Sequence, residues 1–186
     1  MKLNALASAG LMALSLVAAA PALAQSFQVV SGNTSASPTY NRTLEDMSDL
    51  SAVGTAVHYD TYTFTAMVTG DYIFNTTAAF DSMVFLYQGS FNPNDALSNG
   101  VIGNDDIIFG NSFFASGFEV SLTAGTQYVY VTTGFDLPDA GAYSTTIAGP
   151  AAVVSVPEVE TYALMALGLA GLGLNGWRRR QQREAA

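Results

Sequence analysis

The stretch Tyr59-Asp-Thr-Tyr-Thr-Phe-Thr-Ala66 decides the fold class. Tyr62, Phe64 and Ala66 alternate with Thr61, Thr63 and Thr65, which is the period of two of a half-buried strand. Thr69-Gly70-Asp71 then makes a turn, Tyr72 to Thr77 returns as a second strand, and Ser82 to Gln88 reads as a third, buried on both faces. A polar segment from Gly89 to Gly103 follows, carrying Pro93, Asn94 and Asp95. Further strands are expected at Ile107–Phe109, Phe118–Leu122, Gln127–Thr133 and Ala142–Ala148, with Thr123-Ala-Gly-Thr126 as a turn. No window between residues 26 and 155 carries a helical period. The expectation is an all-β antiparallel β-sandwich over residues 58–150, preceded at 25–57 by a Ser/Thr/Asn-rich lead-in segment with one early strand near Phe27–Val30. Residues 151–155 read as a linker.

Charge narrows the function. Between residues 25 and 157 there are 12 acidic side chains against Arg42 alone, net −11 within a chain of net −9. Such a body lacks the Lys/Arg surface that phosphate binding requires, which excludes nucleic acid as a partner. The absence of Cys removes disulfides, thiolate nucleophiles and Cys-based metal centres, and His58 alone cannot build a multi-His site.

The two ends read as addresses. Lys2, an apolar run from Ala5 to Ala20 and the small-residue site Ala22-Leu23-Ala24 before Gln25 describe a secretory signal peptide over residues 1–24, cut after Ala24. At the other end, Val156-Pro157-Glu158 precedes an apolar stretch over 162–177, then Arg178-Arg179-Arg180 and a short tail at 182–186. Sixteen residues of helix span about 24 Å, a little short of a bilayer's hydrocarbon core, and Thr161, Tyr162 and Trp177 suit its interfaces. The arginines hold the C-terminal side in the cytoplasm. Gly171, Gly173 and Gly176 match a dinucleotide-loop string, but no βαβ unit surrounds them.

The tail VPEVETYALMALGLAGLGLNGWRRR, Val156 to Arg180 within a signal segment read over 156–181, resembles the PEP-CTERM sorting signal of Gram-negative bacteria, with Val159 where that family usually carries a second Pro. The resemblance implies export through the Sec translocon, transient inner-membrane anchoring and processing by an exosortase. It further implies release to the cell surface or the exopolysaccharide matrix of a biofilm. The segments YDTYTFTAMVTGDYIFNTT, DSMVFLYQGS, GNDD, FEVSLTAGTQYVYVTTG and GAYSTTIAG resemble the bacterial pre-peptidase C-terminal domain. That resemblance implies a jelly-roll-like sandwich acting as a non-catalytic accessory module, in some members holding calcium.

Few residues carry chemistry. Asp81, Asp105 and Asp106 lie on loops flanking strands, and hard oxygens at that density suit calcium; the same residues equally serve as turn formers. No other cofactor is expected. His58 has no nucleophile elbow to serve and reads as a strand residue. A glycosidase needs two facing carboxylates, which the sequence alone does not place. Tyr87, Phe91 and Phe135 flank loops and are the candidate sugar-stacking platforms, with core packing as the alternative. The function expected is therefore that of an exported, non-enzymatic surface or matrix protein. An extracellular carbohydrate-binding module and a secreted hydrolase are the alternatives.

Overall fold

Ten strands form the regular structure of this computed structural model, which describes residues 25–107 and 114–156. They are β1 (Ser26–Asn33), β2 (Thr39–Tyr40), β3 (Val57–Thr65), β4 (Gly70–Ala78), β5 (Ser82–Gln88), β6 (Gly100–Asn104), β7 (Ala115–Leu122), β8 (Gln127–Gly134), β9 (Ala142–Gly149) and β10 (Val154–Ser155). All pairings are antiparallel. One sheet has the order β1-β9-β4-β7; the other runs β10-β3-β8-β5-β6, with β2 also paired to β3. Most consecutive strands change sheets, so the turns carry the chain across the sandwich. Thr123-Ala-Gly-Thr126 does this between β7 and β8, closed by a Thr126 N–H to Thr123 C=O bond of 3.2 Å, with Gly125 at φ +77°, a backbone conformation that costs a glycine little.

The alternation of β3 fills the space between the sheets. Phe64 meets Tyr72 and Phe74 of β4, Val84 and Leu86 of β5, Phe118 and Leu122 of β7, Tyr128 and Tyr130 of β8 and Ile147 of β9 in one core. Offset and tilted rings fill it, with the Phe74–Tyr130 and Phe74–Phe118 centroids 5.1 and 5.4 Å apart. A second core covers the other face of the larger sheet. Val57, Met83, Phe85, Tyr87, Val129 and Val131 pack there under Tyr40 of β2 and Ala96 of the β5–β6 loop. This is why β5 is buried on both faces, as its continuous apolar run indicates.

Three expectations are corrected. The segment 25–57 is not a lead-in to the sandwich: β1 is a full edge strand paired along all eight residues with β9, β2 pairs with β3, and Tyr40, Arg42 and Thr43 are buried. The expected linker 151–155 contains β10, whose two residues pair with Thr65 and Phe64. The segment Gly89–Gly103, read as polar, carries most of a further strand. β6 forms at Gly100–Asn104, because Ile102, Gly103 and Asn104 pair with Leu86, Phe85 and Val84 along the open edge of β5. Ile107 lies outside any strand, and residues 108–109 lie outside the described residues. So do residues 1–24, with Ala22 and Ala24, and everything from Pro157 on, including Glu158, the helix expected at 162–177 and Arg178–Arg180.

Candidate functional site

The pairing of β5 with β6 determines where the acidic residues meet. Asp81 immediately precedes β5, and Asp105 and Asp106 immediately follow β6. Because Val84 opposes Asn104 in an antiparallel pair, the start of one strand and the end of the other share one end of the sheet. One carboxylate oxygen from each of Asp81, Asp105 and Asp106 lies within 4.8 Å of the others. Asn104 works as a staple beside them: its amide donates to Glu45 Oε1 at 3.1 Å and its Oδ1 accepts the Gly117 N–H at 3.2 Å.

The environment of the trio is electrostatically unfavourable to three anions. Burial, then Asp106 and Asp81, push the Asp105 carboxyl up to about 6, with Arg42 opposing. Asp81 is likewise raised, chiefly by burial and then by Asp139 and Asp106. Oδ1 of Asp105 and Oδ1 of Asp106 are buried without a hydrogen-bond partner. Such orphaned acceptors, all hard oxygens, fit a divalent cation of the calcium type, which takes six to eight oxygen ligands. Asp81, Asp105 and Asp106 are the side chains that would hold it.

Arg42 is the residue that sequence reasoning passed over. It is buried, and its guanidinium donates to the Phe135 carbonyl from Nε at 3.1 Å and from Nη2 at 2.7 Å, and to the Thr43 carbonyl from Nη1 at 3.0 Å. Its cationic carbon sits 4.9 Å from the centre of the Phe135 ring. Burial lowers its pKa, while Asp105, Tyr40, Asp136 and Asp81 work in the opposite direction. Gly54 packs so closely that a Cβ there would lie 2.3 Å from the Arg42 side chain. The signal was available: Arg42 is the one basic residue in a body of 12 acids.

The aromatic candidates are not free platforms. Tyr87 is fully buried, and its hydroxyl donates to the Ala96 carbonyl at 3.1 Å. Phe91 is half-buried in an edge-to-face cluster with Tyr40 and Tyr59, at 5.3 Å to each. Phe135 is half-buried under Arg42. Loop proximity in sequence suggested exposure, but the loops fold back as the lid of the second core. His58 is an ordinary strand residue, with Nδ1 2.6 Å from the Ser37 carbonyl. No described helix is long and apolar enough to cross a membrane.

No family model matches the chain, and no curated protein matches it. Among solved structures, it is similar to the pre-peptidase C-terminal domain of collagenase from Bacillus anthracis, at 15% identity and a TM-score of 0.40, over 64% of this chain and 87% of that one. It is also similar to a cycloisomaltooligosaccharide glucanotransferase from Paenibacillus sp., solved with cycloisomaltoheptaose, at 16% identity and a TM-score of 0.29, over 64% of this chain and 18% of that one. The body is an all-β protein of antiparallel sheets. Its sandwich assignment rests on its own strand pairing.

Proposed function

We propose that this chain is an exported PEP-CTERM-type protein whose working part is the β-sandwich, delivered to the cell surface or exopolysaccharide matrix and non-catalytic there. The observation that carries the reading is that a two-sheet hydrogen-bonded sandwich is built within residues 26–156. β1 begins at Ser26, one residue after the expected signal-peptide cut, so cleavage before Gln25 leaves both sheets whole. At the other end the Val156 N–H donates to the Thr63 carbonyl at 2.9 Å, and the next residue is Pro157, which has no N–H to continue the ladder. Among the described residues, every strand and both cores therefore lie between the two expected processing points. The acidic body keeps such a product soluble. The test is to express the full chain in an exosortase-bearing host with Pro157→Ala and Glu158→Ala replacements. The double variant is expected to stay in the membrane fraction while the parent is released; equal release of both would overturn the reading.

The carboxylate trio supports an accessory calcium role for the same body, through the two unpartnered oxygens at Asp105 and Asp106. Calcium bound there would neutralise three crowded anions and fasten the end of β6 to the start of β5. Extracellular calcium is abundant enough to fill a weak site. A rise in melting temperature on adding calcium, abolished by Asp105→Asn, is the expected result. A rise that survives this replacement would place calcium elsewhere.

A further inference from the structure

Edge strands with unpaired N–H and C=O groups template pairing with another chain, and proteins normally cover or charge them. Among the described residues this domain does so at three of four edges. β3 is capped by β2 and β10, extended by Tyr59 N–H to Pro38 C=O and Val156 N–H to Thr63 C=O bonds. β7 is covered over its first residues by Asn104 and Ile107, where Ile107 N–H donates to Ala115 C=O and Asn104 Oδ1 takes the Gly117 N–H, and it carries the exposed charge of Glu119 further along. β6 is five residues long, with a register irregularity in its pairing.

β1 is different. It has eight residues, SFQVVSGN, with no charge, no Pro and an unbroken register against β9, and among the described residues it pairs with nothing else. Thr34 N–H donates to Gly141 C=O in continuation of that ladder. By the alternation of an antiparallel pair, even-numbered residues direct their backbone groups toward β9, and Phe27, Val29 and Ser31 direct theirs to the open edge. The same odd residues carry their side chains outward, with Phe27 and Val29 about two-thirds exposed (66% and 65%). The even residues are held inside, Val30 against the core and Gln28 by its amide to the Tyr62 hydroxyl at 2.8 Å.

We propose that this edge pairs with the same strand of a second copy, antiparallel and across a two-fold axis, joining two four-stranded sheets into one of eight strands. The stereochemistry is self-consistent. A two-fold axis normal to the sheet keeps outer faces together, so odd residues must oppose odd residues. With Val29 opposite Val29 of the second copy, Phe27 opposes Ser31, and these outward-directed pairs exchange about six backbone hydrogen bonds. Phe27 then lies diagonal to the opposing Val29, which covers the exposed apolar pair. β1 contains no acid, so this edge lets two acidic copies meet without carboxylates facing each other in the strand pair.

The test uses the full chain, which contains no Cys, so one introduced thiol reports only on a second copy. Val29→Cys treated with a short bismaleimide is expected to give a band of doubled mass. Thr77→Cys, exposed on the same face but two strands inward, is expected to give none. Adding Ser31→Pro to Val29→Cys removes only an outward N–H and is expected to abolish the doubled band. Phe27→Lys in the same background gives the same loss by placing charge at the edge, should the proline variant not fold. Absence of the band in Val29→Cys, equal bands at both positions, survival of the band in both edge variants, or a cross-link to a chain of another mass would each overturn the proposal.

Discussion

Replacing Arg42 by Lys keeps the charge and removes the fork. The guanidinium makes three hydrogen bonds to two main-chain carbonyls, at 2.7–3.1 Å, and lies over the Phe135 ring. A lysine ammonium reaching the Phe135 carbonyl preserves one of them, so two charge-assisted bonds are lost at about 1.5 kcal/mol or more each, or about 3 kcal/mol. For a domain of this size that corresponds to a drop of roughly 10 °C in Tm. Arg42→Met costs more, about 4–5 kcal/mol, because buried carbonyls are left unpaired and the nearby carboxylates lose the counter-charge that Arg42 supplies. Differential scanning calorimetry of parent and both variants, in chelated buffer at neutral pH, measures the series. If Arg42→Lys melts within about 2 °C of the parent, the fork is not what ties the segment after β2 to the loop after β8, and the account of this buried cation fails.

Asp105 has a folded-state pKa raised to about 6, so the folded protein holds a proton that the unfolded chain has released, and metal-free stability falls as pH rises through roughly 4 to 6. Asp105→Asn is expected to flatten that slope and to raise metal-free stability at pH 7 by about 1–2 kcal/mol, after discounting for partial exposure, as read from urea unfolding at several pH values. Tyr130→Phe removes a buried hydroxyl lying 2.7 Å from Thr76 Oγ1 but leaves Thr76 bonded to Thr145 at 2.6 Å; a loss of about 1 kcal/mol in urea unfolding is expected. Tyr87→Ala empties a fully buried ring site and is expected to cost about 3–5 kcal/mol by the same assay, whereas a surface sugar platform at that position would cost almost nothing.

The strands with strict alternation were legible because one face of each is core: β3 reads directly from Tyr62, Phe64 and Ala66, and β8 from Tyr128 and Tyr130. β6 was not, since Gly100-Val-Ile-Gly-Asn104 offers two apolar residues and is a strand only because the edge of β5 stands open to it. β1 and β2 were underestimated because Ser, Thr, Asn and Gly suit a solvated edge as well as a loop. The second core was illegible for a related reason. Whether Tyr87 and Phe91 are exposed depends on loops folding over the sheet, which no local pattern encodes. Asp81, Asp105 and Asp106 could be named individually from their loop positions, but their convergence follows from the β5–β6 pairing. Arg42 could be counted, although its burial could not be read.

The central claim is that the sandwich alone is the finished product, and intact mass spectrometry of the protein recovered from the medium and membranes of an exosortase-bearing host tests it most directly. The expected product is a released species beginning at Gln25 and ending between Val156 and Glu158. A product found only in the membrane fraction and still carrying Arg178–Arg180 would contradict it and make the chain a permanently anchored surface protein, with Val159 the first residue to suspect.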